Sequence, residues 1–382
     1  MATTGTDKTL YLNIEAGGSH WGLTFSRGDK WKPLWREIAA WNREAFAREL
    51  RRARAAFGLG QARVLCCYEA GRDGFSIHRW LVNELHLENL VVDSASIKVD
   101  RRRLQEKSDK LDGRELVTML ARYDGGQKDL WRVVRVPEED AEDVRRLPRE
   151  RERLKKEQAA HHARLLSLLR LQGMPYKVDA QFCEKVKQMK LPEHLRREVV
   201  REAQRLALVR EQLQEVQSEE RQLIKAVAAE AAKSRPAEIS PAEPKTAAMA
   251  RMLSTLAGVG ATSAWVLSSE FFGWRKFRNR REVASCAGLA PVRRKSDQID
   301  KFYGISKAGN VRVRKVMVEL AWGWLRHQPD SALTQWFERK FAGGSKKVRK
   351  IGIVAVARRL LVSLWQFVES GVVPDGACDK AA

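Results

Sequence analysis

The chain has 382 residues, 71 of them Lys or Arg against 48 Asp or Glu, a formal net charge of +23 with 44% hydrophobic content. That balance supports about two to three cored domains and calls for a polyanionic partner, nucleic acid first and an anionic membrane surface second. Five cysteines, odd in number and without CxxC spacing, indicate neither a disulfide framework nor a zinc site and fit a reducing cytoplasm. The opening residues show no signal-peptide pattern, and no apolar run reads as long enough to span a bilayer.

Residues 9–16 and 20–27 read as strands joined through Gly17-Gly18-Ser19, with a third strand through 31–36, together an antiparallel meander. A helical pattern follows from Arg43 to Phe57. Ala62 to Tyr68 is a near-continuous apolar run closing on Glu69, the pattern of a central strand buried on both faces. A helix at 74–86 and a buried strand at 88–93 come next. Ser108 then opens an amphipathic helix to about Tyr123, with Asp109 and Asp112 three residues apart on one face and Leu116 and Leu120 turned inward.

Open α/β sheets place their ligands at strand ends. Glu15 near the end of the first strand, Glu69 at the end of the central one and the Asp109/Asp112 pair converge if the sheet folds this way. A converging set of carboxylates needs cations, and hard oxygen ligands suit magnesium or manganese. Each residue also has a plainer reading. Acidic residues in a first turn complement the helix dipole, and strand-end glutamates often pair with Lys or Arg.

Residues 137–234 are rich in Arg, Lys, Glu, Gln, Leu and Ala. One long helix is interrupted or started near Pro148, Gly173-Met174-Pro175 breaks it, and a second runs over about 192–234. Near-heptad leucines predict an antiparallel hairpin or coiled coil that mediates oligomerisation, binds nucleic acid or is simply solvated. Residues 235–245, with three prolines, read as a linker to a domain beginning near Thr246.

In that domain Gly258-Val259-Gly260 between helical patterns reads as a helix-hairpin-helix or as an ordinary turn between packed helices. Gly288-Leu289-Ala290-Pro291 leads through Arg293, Arg294, Lys295 and Ser296 to Ser306-Lys307-Ala308-Gly309-Asn310, which opens a helix bearing Arg312 and Arg314. The clustered cations, Lys307 included, read as phosphate binders.

Taken together and in this order, the DxxD helix and the GLAP and SKAGN strings resemble the DEDD-type insertion-sequence transposases of the insertion sequence 110 type, described as bridge-RNA-guided recombinases. The resemblance spans nearly the whole chain. It implies an α/β architecture: an RNase H-like (RuvC-like) domain over 1–130, a coiled coil over 137–234, and a mostly α transposase domain over 246–375. It assigns Glu15, Glu69, Asp109 and Asp112 to a Mg2+ or Mn2+ site and Ser296 to the nucleophile that links covalently to DNA. The partners it implies are DNA, a structured noncoding guide RNA and further copies of the chain as a dimer or tetramer, in the cytoplasm at the nucleoid. Two positions depart from the family: Asn13-Ile14-Glu15 stands where Gly-Ile-Asp is usual, and Asp297 follows Ser296 where Gly is usual. A junction-resolvase type of metal nuclease, and a noncatalytic nucleic-acid-binding relative, use the same residues differently.

Overall fold

A computed structural model describes residues 9–28, 32–71, 74–97, 109–174, 177–179, 181–233, 245–296 and 299–380. Asp297 and most of the proline linker lie outside the described residues, as do the side chains of Asp109, Arg294, Lys295 and Ser296. The chain divides into two compact units, residues 1–136 and 137–382.

The first unit is a five-stranded mixed sheet in the order β3-β2-β1-β4-β5. β1 (Leu10–Ala16), β2 (His20–Ser26) and β3 (Leu34–Ala39) form the antiparallel meander, and β4 (Val64–Glu69) and β5 (Glu88–Val92) run parallel to β1. Strand pleating sorts the side chains. Leu10, Leu12, Ile14, Val64, Cys66 and Tyr68 build one core with α1 (Arg43–Ala56), α2 (Ser76–Arg79) and the π-helical turn Trp80–Glu84 that continues it. Leu65, Cys67 and Val92 build a second core with Leu116 and Leu120 of α3 (Asp109–Asp124). β4 is therefore buried on both faces, which is why it reads as a continuous apolar run.

In the second unit α4 (Glu139–Asp143) is a short lead-in, and α5 (Arg146–Arg170) packs antiparallel on α7 (Glu193–Lys233), with α6 (Phe182–Lys187) beneath. Leu154 meets Val209 and Leu213 near one end, while Leu165 and Leu169 meet Val199 and Leu206 near the other. Glu202 is buried inside this hairpin, ringed by His161 Nδ1 at 2.8 Å, Arg205 Nη1 at 2.9 Å and Arg164 Nη1 at 3.2 Å.

The remainder is a helical core made by α8 (Lys245–Thr255), α9 (Ala261–Leu267) with its π-helical extension Ser268–Phe272, α10 (Arg280–Cys286), α11 (Val311–His327), α12 (Ala332–Phe337) and α13 (Lys346–Ser370). A two-stranded hairpin, β6 (Pro291–Ser296) with β7 (Ile299–Ile305), sits between α10 and α11 in the chain. By length and composition α13 is apolar enough to cross a membrane, which corrects the expectation that no segment reaches that length. Its Ile353, Val356, Leu360, Leu361 and Leu364 lie inside the helical core, and a helix enclosed on several sides is apolar nearly all round.

Candidate functional site

The parallel register pairs Asn13 with Cys67, and two residues further along each strand stand Glu15 and Glu69. With a side-chain period of two, they share the face of Asn13 and Cys67, whose side chains meet as Cys67 Sγ donates to Asn13 Oδ1 at 3.4 Å. α3 crosses that same face antiparallel to β1. At its C-terminal end Asp124 accepts from Tyr11 Oη at 3.1 Å and from Arg63 Nη1 at 2.9 Å, near the start of β1. Near its N-terminal end Gly113 lies so close to the sheet that a Cβ there would stand 2.3 Å from Thr24 Oγ1 and 3.7 Å from Asn13 Nδ2.

The start of α3, with Asp109 and Asp112, thus comes to the edge where β1 and β4 deliver Glu15 and Glu69. Glu69 is exposed, while Glu15 and Asp112 are half-buried. Among the described residues no three His, Cys, Asp or Glu side chains form a ready metal cage. The Asp109 side chain is not among them. Cys66 and Cys67 are inert neighbours, since burial pushes both thiols well up.

In the second unit the two strings noted in the sequence zip onto each other. Ser306 N–H donates to Ala290 O at 2.8 Å, Lys307 N–H to Gly288 O at 3.1 Å and Asn310 N–H to Cys286 O at 2.8 Å. Both glycines have positive φ, and any Cβ would strike the opposite string: at Gly309 it would lie 2.4 Å from Cys286 O, and at Gly288 2.9 Å from Ala308 O. The clasp fixes the base of the β6–β7 hairpin. Ser296 ends β6 opposite Ile299, at the hairpin's far end.

Asn310 carries the clasp into the core. Its Oδ1 accepts from the Arg312 and Val313 N–H groups, capping α11, and its Nδ2 donates to Glu270 Oε2 at 3.2 Å. Glu270 is fully buried. Arg149 of α5 clamps it with two parallel hydrogen bonds, Nε to Oε1 at 2.7 Å and Nη2 to Oε2 at 2.8 Å. Burial would raise the Glu270 carboxyl, but Arg149, aided by Asn310 and Arg312, outweighs it and holds the group below its usual range.

Of the cations read as phosphate binders, Arg293 and Lys307 are exposed. Arg312 and Arg314 are committed inside the unit. Arg312 Nε lies 2.7 Å from Glu152 Oε2 as an ion pair, and Arg314 Nη1 donates to Lys307 O at 2.9 Å and Ala287 O at 3.3 Å. The turn between α8 and α9 is strapped by the C-terminal tail: Ala257 N–H donates to Cys378 O at 3.1 Å and Lys380 Nζ to Val259 O at 2.9 Å. Sequence reasoning missed Glu270 and its partner 121 residues away. It also missed Lys346, Lys347 and Lys350 at the start of α13, signalled only by a basic run behind the capping Ser345.

These parts belong to a DNA transposase. The transposase IS116/IS110/IS902 family pattern matches residues 250–335, which contain Glu270, both clasp strings and the hairpin. A Sinorhizobium fredii (strain NBRC 101917 / NGR234) protein named "Putative transposase y4rJ" is 38% identical over 387 aligned positions, covering 97% of this chain and 94% of its own. A second protein of that strain, "Putative transposase y4qE", is 26% identical over 294 positions, covering 77% of this chain and 67% of its own. The chain belongs to the IS110-type transposase family.

Proposed function

We propose that this transposase cuts and rejoins DNA through a serine-linked intermediate, with Ser296 as nucleophile and the Glu15, Glu69, Asp109 and Asp112 edge as the site of Mg2+ or Mn2+. The observation that carries the metal half is the strand order β3-β2-β1-β4-β5, with α3 antiparallel on β1, which sets four acidic positions at one sheet edge. That order suits an RNase H-like reading of the first unit. Bound there, a divalent ion supplies charge neutralisation at a scissile phosphate.

The chain's own part in the chemistry is a phosphoryl transfer. Ser296 Oγ forms a bond to the scissile phosphorus, the bond from phosphorus to the leaving deoxyribose oxygen breaks, and the serine proton ends on the departing hydroxyl. An incoming strand's hydroxyl reverses the exchange and frees the serine, so no outside reductant or energy source is needed. A structured noncoding RNA is the proposed guide to target and donor, and the α5/α7 hairpin the proposed oligomer contact.

The deciding experiment presents labelled cognate DNA and flanking RNA to the protein and to Ser296→Ala, then resolves the products on a denaturing gel. A covalent protein–DNA adduct from the parent alone is the expected result. Adducts from Ser296→Ala would end the serine role. Strand cleavage without adducts from both proteins would point instead to metal-dependent hydrolysis.

A further inference from the structure

Between the base of the β6–β7 hairpin and the N-terminal half of α13 lies a groove of about 990 Å³. Its floor is apolar, built by Pro291, Ile305, Ile351 and Val354. Tyr303 and Ile351 are each 57% exposed there, high for residues of their size. Its rim is cationic: Lys307, Lys346, Lys347, Lys350 and Arg358 line it, and the described lining holds no carboxylate. Lys346, Lys347 and Lys350 occupy the first turns of α13, where no acidic residue balances the positive end of the helix dipole. Three like charges at that pole weaken the helix end unless a polyanion lies against it.

We propose that this groove holds an unpaired DNA strand, with phosphates along the lysine rim and a base stacked on Tyr303 over the apolar floor, a role that rests on the chain cutting DNA as a transposase. The charge calls for phosphates, and the exposed apolar surface calls for base faces, which a duplex keeps stacked and a single strand offers. Apart from the Tyr303 phenol, the described lining has no neutral hydrogen-bonding side chain. The described lining offers charge and apolar surface rather than a set of base-edge partners, so the groove is sequence-tolerant, and the strand is DNA because the chain acts on DNA as a transposase. β6 leads from the groove wall at Pro291 to Ser296 over five further residues, about 17 Å of extended chain. The strand it holds is therefore one flanking a cut.

The test uses the full chain, anisotropy of a labelled oligothymidylate of about a dozen nucleotides, the matching duplex, and an oligouridylate. The Lys346→Gln/Lys347→Gln/Lys350→Gln variant is expected to bind the single strand more than tenfold more weakly. Its log affinity against log salt should flatten by about 2, from about 0.7 per lost phosphate contact. Tyr303→Ala should lose about 5- to 100-fold on the single strand and change little on the duplex, while Tyr303→Trp keeps the affinity. An iodouracil-substituted strand should photocrosslink to the Tyr303 segment.

Unchanged affinity and salt slope in the lysine variant overturn the proposal. So does a Tyr303→Ala loss shared equally by duplex and single strand, or an oligouridylate that outcompetes DNA for the same crosslink. The adduct assay separates this from the wider reading. Serine-dependent adducts with normal strand binding by the groove variants sink the groove alone. Adducts that persist in Ser296→Ala, with strand binding lost in the groove variants, sink the serine mechanism alone.

Discussion

Arg149 and Glu270 stand 121 residues apart and join through two parallel hydrogen bonds of 2.7 and 2.8 Å, with the glutamate side chain fully buried and the arginine side chain 43% exposed. This pair ties the helical hairpin to the helical core within the second unit. Removing the arginine alone leaves a buried charge that Asn310 and a more distant Arg312 support less closely. Arg149→Ala is expected to cost the lower end of about 3–5 kcal/mol. Arg149→Met with Glu270→Leu should recover most of that, because the apolar pair needs no desolvation compensation. Urea midpoints of the three proteins check it. A single-mutant loss within about 0.5 kcal/mol of the parent, as at an ordinary surface site, would sink the assignment.

Acid should loosen the second unit through two of its buried glutamates, Glu202 and Glu270. For both Glu202 and Glu270 burial pushes the carboxyl up, yet the surrounding cations leave it below its ordinary value. A carboxyl depressed in the folded state adds stability that is complete above its unfolded pKa of about 4.3 and is lost as pH falls through the lower folded value. Stability of the parent should therefore fall below about pH 5, by up to about 1.4 kcal/mol per pH unit for each group. Glu202→Gln should be weaker than the parent at pH 7 but show a shallower slope, so the two curves converge in acid. Parallel curves would show that Glu202 is not held as the carboxylate.

Asn310 distinguishes two uses of one amide. At a helix N-cap Asp serves as well as Asn. Here the amide nitrogen also donates to Glu270 Oε2 at 3.2 Å, a bond no carboxylate can supply. Asn310→Asp should therefore destabilise more than Asn310→Ser, and the gap should narrow as pH drops and the paired carboxyls protonate. Were Asp to match Asn at pH 7, the Nδ2 contact would be dispensable.

The elements of the first unit were largely legible because their patterns are local. The alternating apolar residues Leu10, Leu12 and Ile14, the apolar run Val64–Tyr68 and the amphipathic α3 are each readable within one segment. Its strand order depends on pairing between β1 and β4, more than 50 residues apart, and no local pattern fixes that. The β6–β7 hairpin reads as a polar basic stretch because Arg293, Arg294 and Lys295 obscure the strand alternation. Glu270 sits in Ser268-Ser269-Glu270-Phe271-Phe272, where an acid among apolar residues looks like an ordinary exposed position until Arg149 is folded against it. The acidic edge was legible as a set of positions at element ends. How far the side chains close on one another is a tertiary property, and among the described residues they form no finished cage.

Gly113 sets how closely α3 approaches the sheet, and two opposing effects decide what a methyl there does. In a helix interior Gly→Ala ordinarily stabilises by about 1 kcal/mol. Here the new Cβ would lie 2.3 Å from Thr24 Oγ1, so the helix must lift or the threonine must turn in a buried site. Overpacking of that kind costs about 1–3 kcal/mol and should win. Gly113→Ala is expected to destabilise, and adding Thr24→Ala, which removes the clashing oxygen, should reverse the sign and expose the propensity gain. Thermal unfolding of the single and double variants reads this directly. Because Asp112 is the adjacent residue, lifting α3 should also weaken any stabilisation by added Mg2+, which at one hundred times the dissociation constant amounts to about 2.7 kcal/mol. A Gly113→Ala protein as stable as the parent would mean that α3 does not rest on Thr24, and the convergence of its first turn with Glu15 and Glu69 would lose its support.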